Sequence, residues 1–196
     1  MQKPSNYENT SDGSFTPIEL GGHYMIIRKL EEVQSRSGKM MIKVMFDFTE
    51  PDKQPGYFMR SFQEDIRPDK KWPNAGTLYV LTEDDKGNCS RNFKRFITSC
   101  EKSNPGFTCQ WGDNFGAQFK NKRIGGVFGV VEDEYEGKVK KRHQLRWVCA
   151  WDAVSTAAVP EEKLLKNDNK VEPEPNQNGT GWMNIPEGAT DDGFPF

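Results

Sequence analysis

The stretch Met40-Met41-Ile42-Lys43-Val44-Met45-Phe46-Asp47-Phe48-Thr49 decides how the chain is read. Met40, Ile42, Val44, Phe46 and Phe48 recur at every second position, and Lys43, Asp47 and Thr49 fall between them with Met41 and Met45. Successive side chains of an extended strand point to opposite faces, so this alternation predicts a strand with one dry side. Upstream, the run His23 to Glu32 is rich in β-formers and reads as a partner strand. Ser35-Arg36-Ser37-Gly38 supplies the turn of a hairpin.

Working outward, Tyr57 to Gln63 reads as a third strand, and Thr77 to Thr82 as a short one after Trp72-Pro73-Asn74-Ala75-Gly76. The period then changes. Phe93, Phe96, Ile97 and Cys100 recur at helical spacing behind Ser90 as N-cap, and Asn104-Pro105-Gly106 ends the helix. Beyond a glycine- and aromatic-rich loop (Phe107 to Phe119), strands are expected at Arg123–Asp133 and Lys138–Asp152, joined by Glu134-Tyr135-Glu136-Gly137. Three or four strands, one helix and two strands fit a mostly β domain. The form expected is a five-stranded OB-fold barrel with its helix between strands 3 and 4. A small α+β sandwich fits the same order. The expected organisation is a flexible segment over 1–17, the OB-fold over 18–160, a disordered acidic linker over 161–190 and a tip over 191–196.

Residues 161–196 hold three basic and eight acidic side chains, a charge of −5, whereas residues 1–160 carry +3. A mildly basic body with an acidic tail suits a nucleic-acid binder. No run of about 18 apolar residues is present, so no membrane span is expected, and the N-terminus lacks the apolar stretch of a secretory signal. A cytoplasmic protein follows. Cys89, Cys100, Cys109 and Cys149 form no Cys-x-x-Cys pair and read as free thiols. A zinc site drawing on His143 is not supported by the spacing. Neither a metal nor a cofactor is expected.

The C-terminal residues Asp191-Asp192-Gly193-Phe194-Pro195-Phe196 resemble the tip of bacterial single-stranded DNA-binding proteins, with Gly193 and Phe194 as departures. The body resembles the phage- and prophage-encoded OB-fold variety in Phe15-Thr16-Pro17-Ile18, in Ser37-Gly38-Lys39 and in the placing of the helix. This resemblance implies binding and protection of single-stranded DNA during phage replication, recombination or repair. It also implies capture of other replication, recombination and repair proteins by Asp191, Asp192, Phe194, Pro195 and Phe196. A homo-oligomer in which several OB-folds share one strand is compatible with it.

The residues suggest the DNA surface directly. Lys138 to Arg146 contains five cations and no acid; Lys140, Arg142 and Arg146 are expected on one strand face, with Leu145, Trp147, Cys149 and Trp151 on the core side. Lys120, Lys122 and Arg123 lie close in sequence and would extend a phosphate track, unless the face is only solvated. Phe58, Arg60 and Phe62 are expected in a row that stacks bases, unless the rings are core. Lys43, Lys71, Trp72 and Trp111 complete the candidates. No catalytic residue is assigned. The carboxylate groups Glu64-Asp65, Asp84-Asp85 and Glu132-Asp133-Glu134 leave a metal-dependent nuclease as one alternative, and a recombination accessory or strand-annealing protein as another.

Overall fold

A computed structural model describes residues 2, 3, 5, 16–135 and 138–165, with the side chain of Tyr135 excepted. Its elements are β1 (Gly21–Gln34), β2 (Met40–Phe48), α1 (Tyr57–Glu64), β3 (Thr77–Leu81), α2 (Arg91–Ser103), β4 (Arg123–Tyr135) and β5 (Lys138–Cys149). The strands form one antiparallel sheet in the order β3-β2-β1-β4-β5.

The alternation in β2 does what its pattern dictates. Ile42, Val44, Phe46 and Phe48 are buried, while Met40 at the strand's end stays exposed. The β1–β2 turn closes through Ser35 N–H to Lys39 O and Gly38 N–H to Ser35 O, with Gly38 at φ 77°, a conformation glycine takes without steric cost. Met25, Ile27, Ile124, Phe128, Leu145 and Val148 join β2 on the inner face, and α2 closes that core from below with Phe93, Phe96, Ile97 and Cys100. Each buried ring contributes on the order of 1.5–3 kcal/mol.

Three sequence expectations change. Tyr57–Gln63 is not a strand but helix α1, because Asp47 turns its fully buried carboxylate onto the helix start and accepts from Phe58 N–H at 2.9 Å. An acceptor at the first turn satisfies a donor that the helix itself leaves open. Five strands remain, with α2 between the third and fourth. The alternation in β5 breaks at a bulge: Val127 pairs with Trp147 and Phe128 with Leu145, leaving Arg146 as the extra residue. Past it Val148 takes the core position, whereas Trp147 is half-buried at the core's edge and Trp151 lies on a separate turn beyond the strand.

The third change concerns residues 161–165, read as linker. Lys163 continues the fold beside β4, donating its N–H to Val130 O at 3.0 Å and accepting from Glu132 N–H at 2.9 Å. This strap, residues 150–165, crosses the outer side of β1 and β4. There a Cβ on Gly22 would lie 2.2 Å from Val154 O, and one on Gly125 would lie 2.5 Å from the Val154 side chain. Glycine is required at Gly22 because the strap's backbone touches it, and at Gly125 because the Val154 and Cys149 side chains and Ala150 O crowd the position. At the other end, Thr16 O accepts from Tyr57 Oη and Pro17 O from Gln54 Nε2, so the last two residues of the expected N-terminal segment also belong to the fold. The expectations for residues 6–15, the Glu136-Gly137 corner, the rest of the linker and the tip lie outside the described residues.

Candidate nucleic-acid interface

The outer face of β1, β2 and β3 gathers rings and cations. Register places Glu31, Lys43 and Tyr79 in one row across the sheet and Lys29, Met45 and Thr77 in the next. Arg28 is the extra residue of a bulge between Ile27 and Lys29, and it leans toward Asp47, with Nη2 3.2 Å from Oδ2. Its Nε is buried without a hydrogen-bond partner. Further along, Tyr24 packs against Trp151 at 4.7 Å between ring centroids, and the Arg123 guanidinium lies 5.3 Å from the centre of the same indole.

Arg123, at the start of β4, joins this face over Trp151, whereas Lys122 turns to the other side, toward Phe107 and Cys100 of α2. Asn121 N–H donates to Ile27 O and Ile27 N–H to Lys122 O, which ties the chain entering β4 to β1 beside the Arg28 bulge. Lys122 Nζ stands 4.5 Å from the Phe107 ring. Asn121 adopts φ 63°, which lets the chain turn there. Against these charges stands Glu31, 2.5 Å from Lys29 Nζ and 3.9 Å from Lys43 Nζ. The Lys29 hydrogen bond holds the Glu31 carboxyl below the usual range, with Lys43 adding to it against the effect of burial. The face thus keeps a cationic excess.

The expected stacking row is not formed. Phe58 is buried among Phe46 and Phe48 and has no surface to offer a base, whereas Arg60 is exposed on the other side of α1. Phe62 tilts against Trp72 at 5.6 Å, and the Trp72 indole donates to Gly76 O at 2.9 Å, so packing fixes both rings. Trp72 and Lys71 nevertheless line one shallow recess with Arg67 and Asn74. Trp111 is 69% exposed, stacked on Phe115 at 5.4 Å in a loop held by Gln118 to Gln110.

The basic run of β5 also changes meaning. Lys141 stands across from Glu132, and Lys140 from Asp133. Lys141 pairs with Glu162 of the strap at 2.5 Å, Arg142 lies 3.7 Å from Asp133, and Arg146 donates to Glu161 O at 3.0 Å. Lys138 to Arg146 is therefore one side of a mixed-charge hairpin and not a bare track, because β4 lays its acids opposite. Tyr24, Arg28, Lys29, Tyr79 and Trp151 were missed from the sequence. A face-by-face reading of β1 would have flagged Tyr24 and Arg28, since both alternate with the buried His23, Met25 and Ile27.

Elsewhere, His23 is buried between Asp52 Oδ1 at 3.2 Å and Glu19 O at 2.9 Å and stacks on Phe48, a structural role. His143 Nδ1 meets Ile18 O. The four cysteines are free thiols. Asp84 receives the backbone N–H groups of Lys86 and Asn88 and closes a turn. Among the described residues no three His, Cys, Asp or Glu side chains converge on a metal position, and no helix is long and apolar enough to cross a membrane. A comparison with protein-family models and with curated proteins gives no match to either.

Proposed function

We propose that the chain binds single-stranded DNA through the outer face of β1–β3 and its Trp151 corner. One observation carries this reading: Tyr24, Trp151 and Tyr79 share a sheet face with Arg28, Lys29, Lys43 and Arg123. Rings offer stacking to any base and cations neutralise the backbone, the combination that serves sequence-tolerant single-strand binding.

The sheet order supports an OB-fold reading. Order β3-β2-β1-β4-β5, with α2 after β3, is what such a barrel presents when opened between β3 and β5. The single turn Asn74–Gly76 that leads into β3 lies against β5, bringing the two edge strands toward each other. Recruitment of replication, recombination or repair proteins by Asp191, Asp192, Phe194, Pro195 and Phe196 remains part of the proposal on the sequence alone.

Titration of tryptophan fluorescence with oligo-dT, oligo-U and duplex DNA at two salt concentrations tests the reading. Oligo-dT should quench emission and bind well above duplex, with affinity falling steeply as salt rises. Equal or tighter affinity for duplex would overturn it. Deleting residues 194–196 should leave oligo-dT affinity intact or slightly raised while abolishing capture of such partners.

A further inference from the structure

A second cationic surface lies off the sheet, on the solvent side of α2. There a groove of about 620 Å³ is lined by Arg91, Lys94, Arg95 and Lys102, runs from Cys89 to Ala150, and has no acid in its lining. The cause is the helix's own pattern. Phe93, Phe96, Ile97 and Cys100 take the core side, leaving positions 91, 94, 95, 98 and 102 as the opposite stripe. Cations on this stripe recur about every one to two turns of roughly 5.4 Å each. Glu101, the helix's one acid, is turned away to accept from Cys109 N–H at 3.0 Å.

For the fold alone this arrangement is unfavourable. Arg91 and Lys94, three residues apart, repel, and both sit at the helix end where the macrodipole favours anions. The first turn contains no acid to offset them. A bound polyanion would.

The groove also leads to the sheet face. Ala150 at its far end immediately precedes Trp151, whose N–H donates to Ser103 Oγ at 2.9 Å. Asn104, which caps α2, bonds both the N–H and the C=O of Arg123. The Lys102 end of the groove and the Tyr24–Trp151–Arg123 corner are thereby joined.

We infer that a single strand leaving the sheet face at Trp151 continues along α2, with its phosphates against Arg91, Lys94, Arg95 and Lys102. This rests on the single-strand reading above and extends it to a second segment of the same strand. The lining offers repeated charge and no aromatic or large apolar side chain. That favours a phosphodiester over an acidic peptide, which would need a pocket for an anchoring residue.

The test uses the full chain and oligo-dT graded in length. Lys94→Ala/Lys102→Ala should bind short oligomers, those the sheet face alone can span, as wild type does. For long oligomers it should lose about tenfold in affinity, and its salt slope should shrink by roughly 1.4, two phosphate contacts at about 0.7 each. Acetylation of surface lysines, read by mass spectrometry, should show Lys94 and Lys102 protected by long but not short oligomers, with Lys53 reactive throughout. Unchanged affinity and slope for long oligomers, or unprotected Lys94 and Lys102, would overturn the inference. Tighter DNA binding by the variant would also overturn it, pointing to an acidic peptide segment in the groove. Wild-type protein that binds no oligo-dT of any length would instead sink the single-strand reading itself, a result separate from any variant.

Discussion

The β4–β5 hairpin and the outer face of β1–β3 contrast in how their charge is arranged. In the linear chain the hairpin's second strand is the most basic stretch, yet in space it faces Glu132 and Asp133 and leans on the Glu162 carboxylate and the Glu161 carbonyl. The sheet face draws its cations from three separate places, Arg28-Lys29 in β1, Lys43 in β2 and Arg123 at the start of β4. A run of charge in one strand says little until the opposite strand is known. Dispersed charges brought together by register make the more cationic surface.

The largest expected effect comes from breaking the anchor beneath the sheet face. Asp47→Ala removes the acceptor for Phe58 N–H and the partner of Arg28, and should cost roughly 2–4 kcal/mol of stability. Denaturant midpoints will show it; a loss below about 0.5 kcal/mol would mean that α1 does not need this cap. Next, Trp151→Ala should weaken oligo-dT binding by about 1–3 kcal/mol, the range for one stacked base. Melting curves serve as the control, and affinity within twofold of wild type would move the stacking site to Trp111 or Trp72.

On the hairpin the expectation reverses. Lys140→Ala/Arg142→Ala should change oligo-dT affinity by less than about twofold and leave the salt slope in place, since Asp133 lies across from Lys140 and 3.7 Å from Arg142 and offsets their charge. A steep loss would return the phosphate track to β5. The smallest effect is a labelling pattern. Iodoacetamide should modify Cys89 first in the native protein, because burial pushes the Cys100 thiol up to about 12 and Cys149 up to about 11. Early labelling of Cys100 would mean that α2 leaves the core readily.

Much of this fold was legible because burial imposes a period. β2 shows period two, with four alternate residues against one core, and α2 shows the helical period between Ser90 and Asn104. Tyr57–Gln63 misled because a short run with Phe58 and Phe62 four apart satisfies either period. What settles it is Asp47, eleven residues earlier in the chain. The bulges at Arg28 and Arg146 were equally hidden, since a one-residue slip is set by the partner strand. For the candidate site, Lys43 and Arg123 were named from sequence but their company was not. Extending the alternation of β5 points Trp151 at the core, but the bulge and the end of the strand at Cys149 intervene.

The contact of Val154 with Gly22 and Gly125 has an evolutionary consequence. It sets where the strap crosses the sheet, and three residues upstream the strap delivers Trp151 onto Tyr24. A methyl group at either glycine would lift the strap and shift the indole, although neither glycine needs to touch a ligand. In a saturation screen selected on binding, Gly22 and Gly125 should therefore score as intolerant as the ring they position. Without the structure, such a pattern would be mistaken for direct contact.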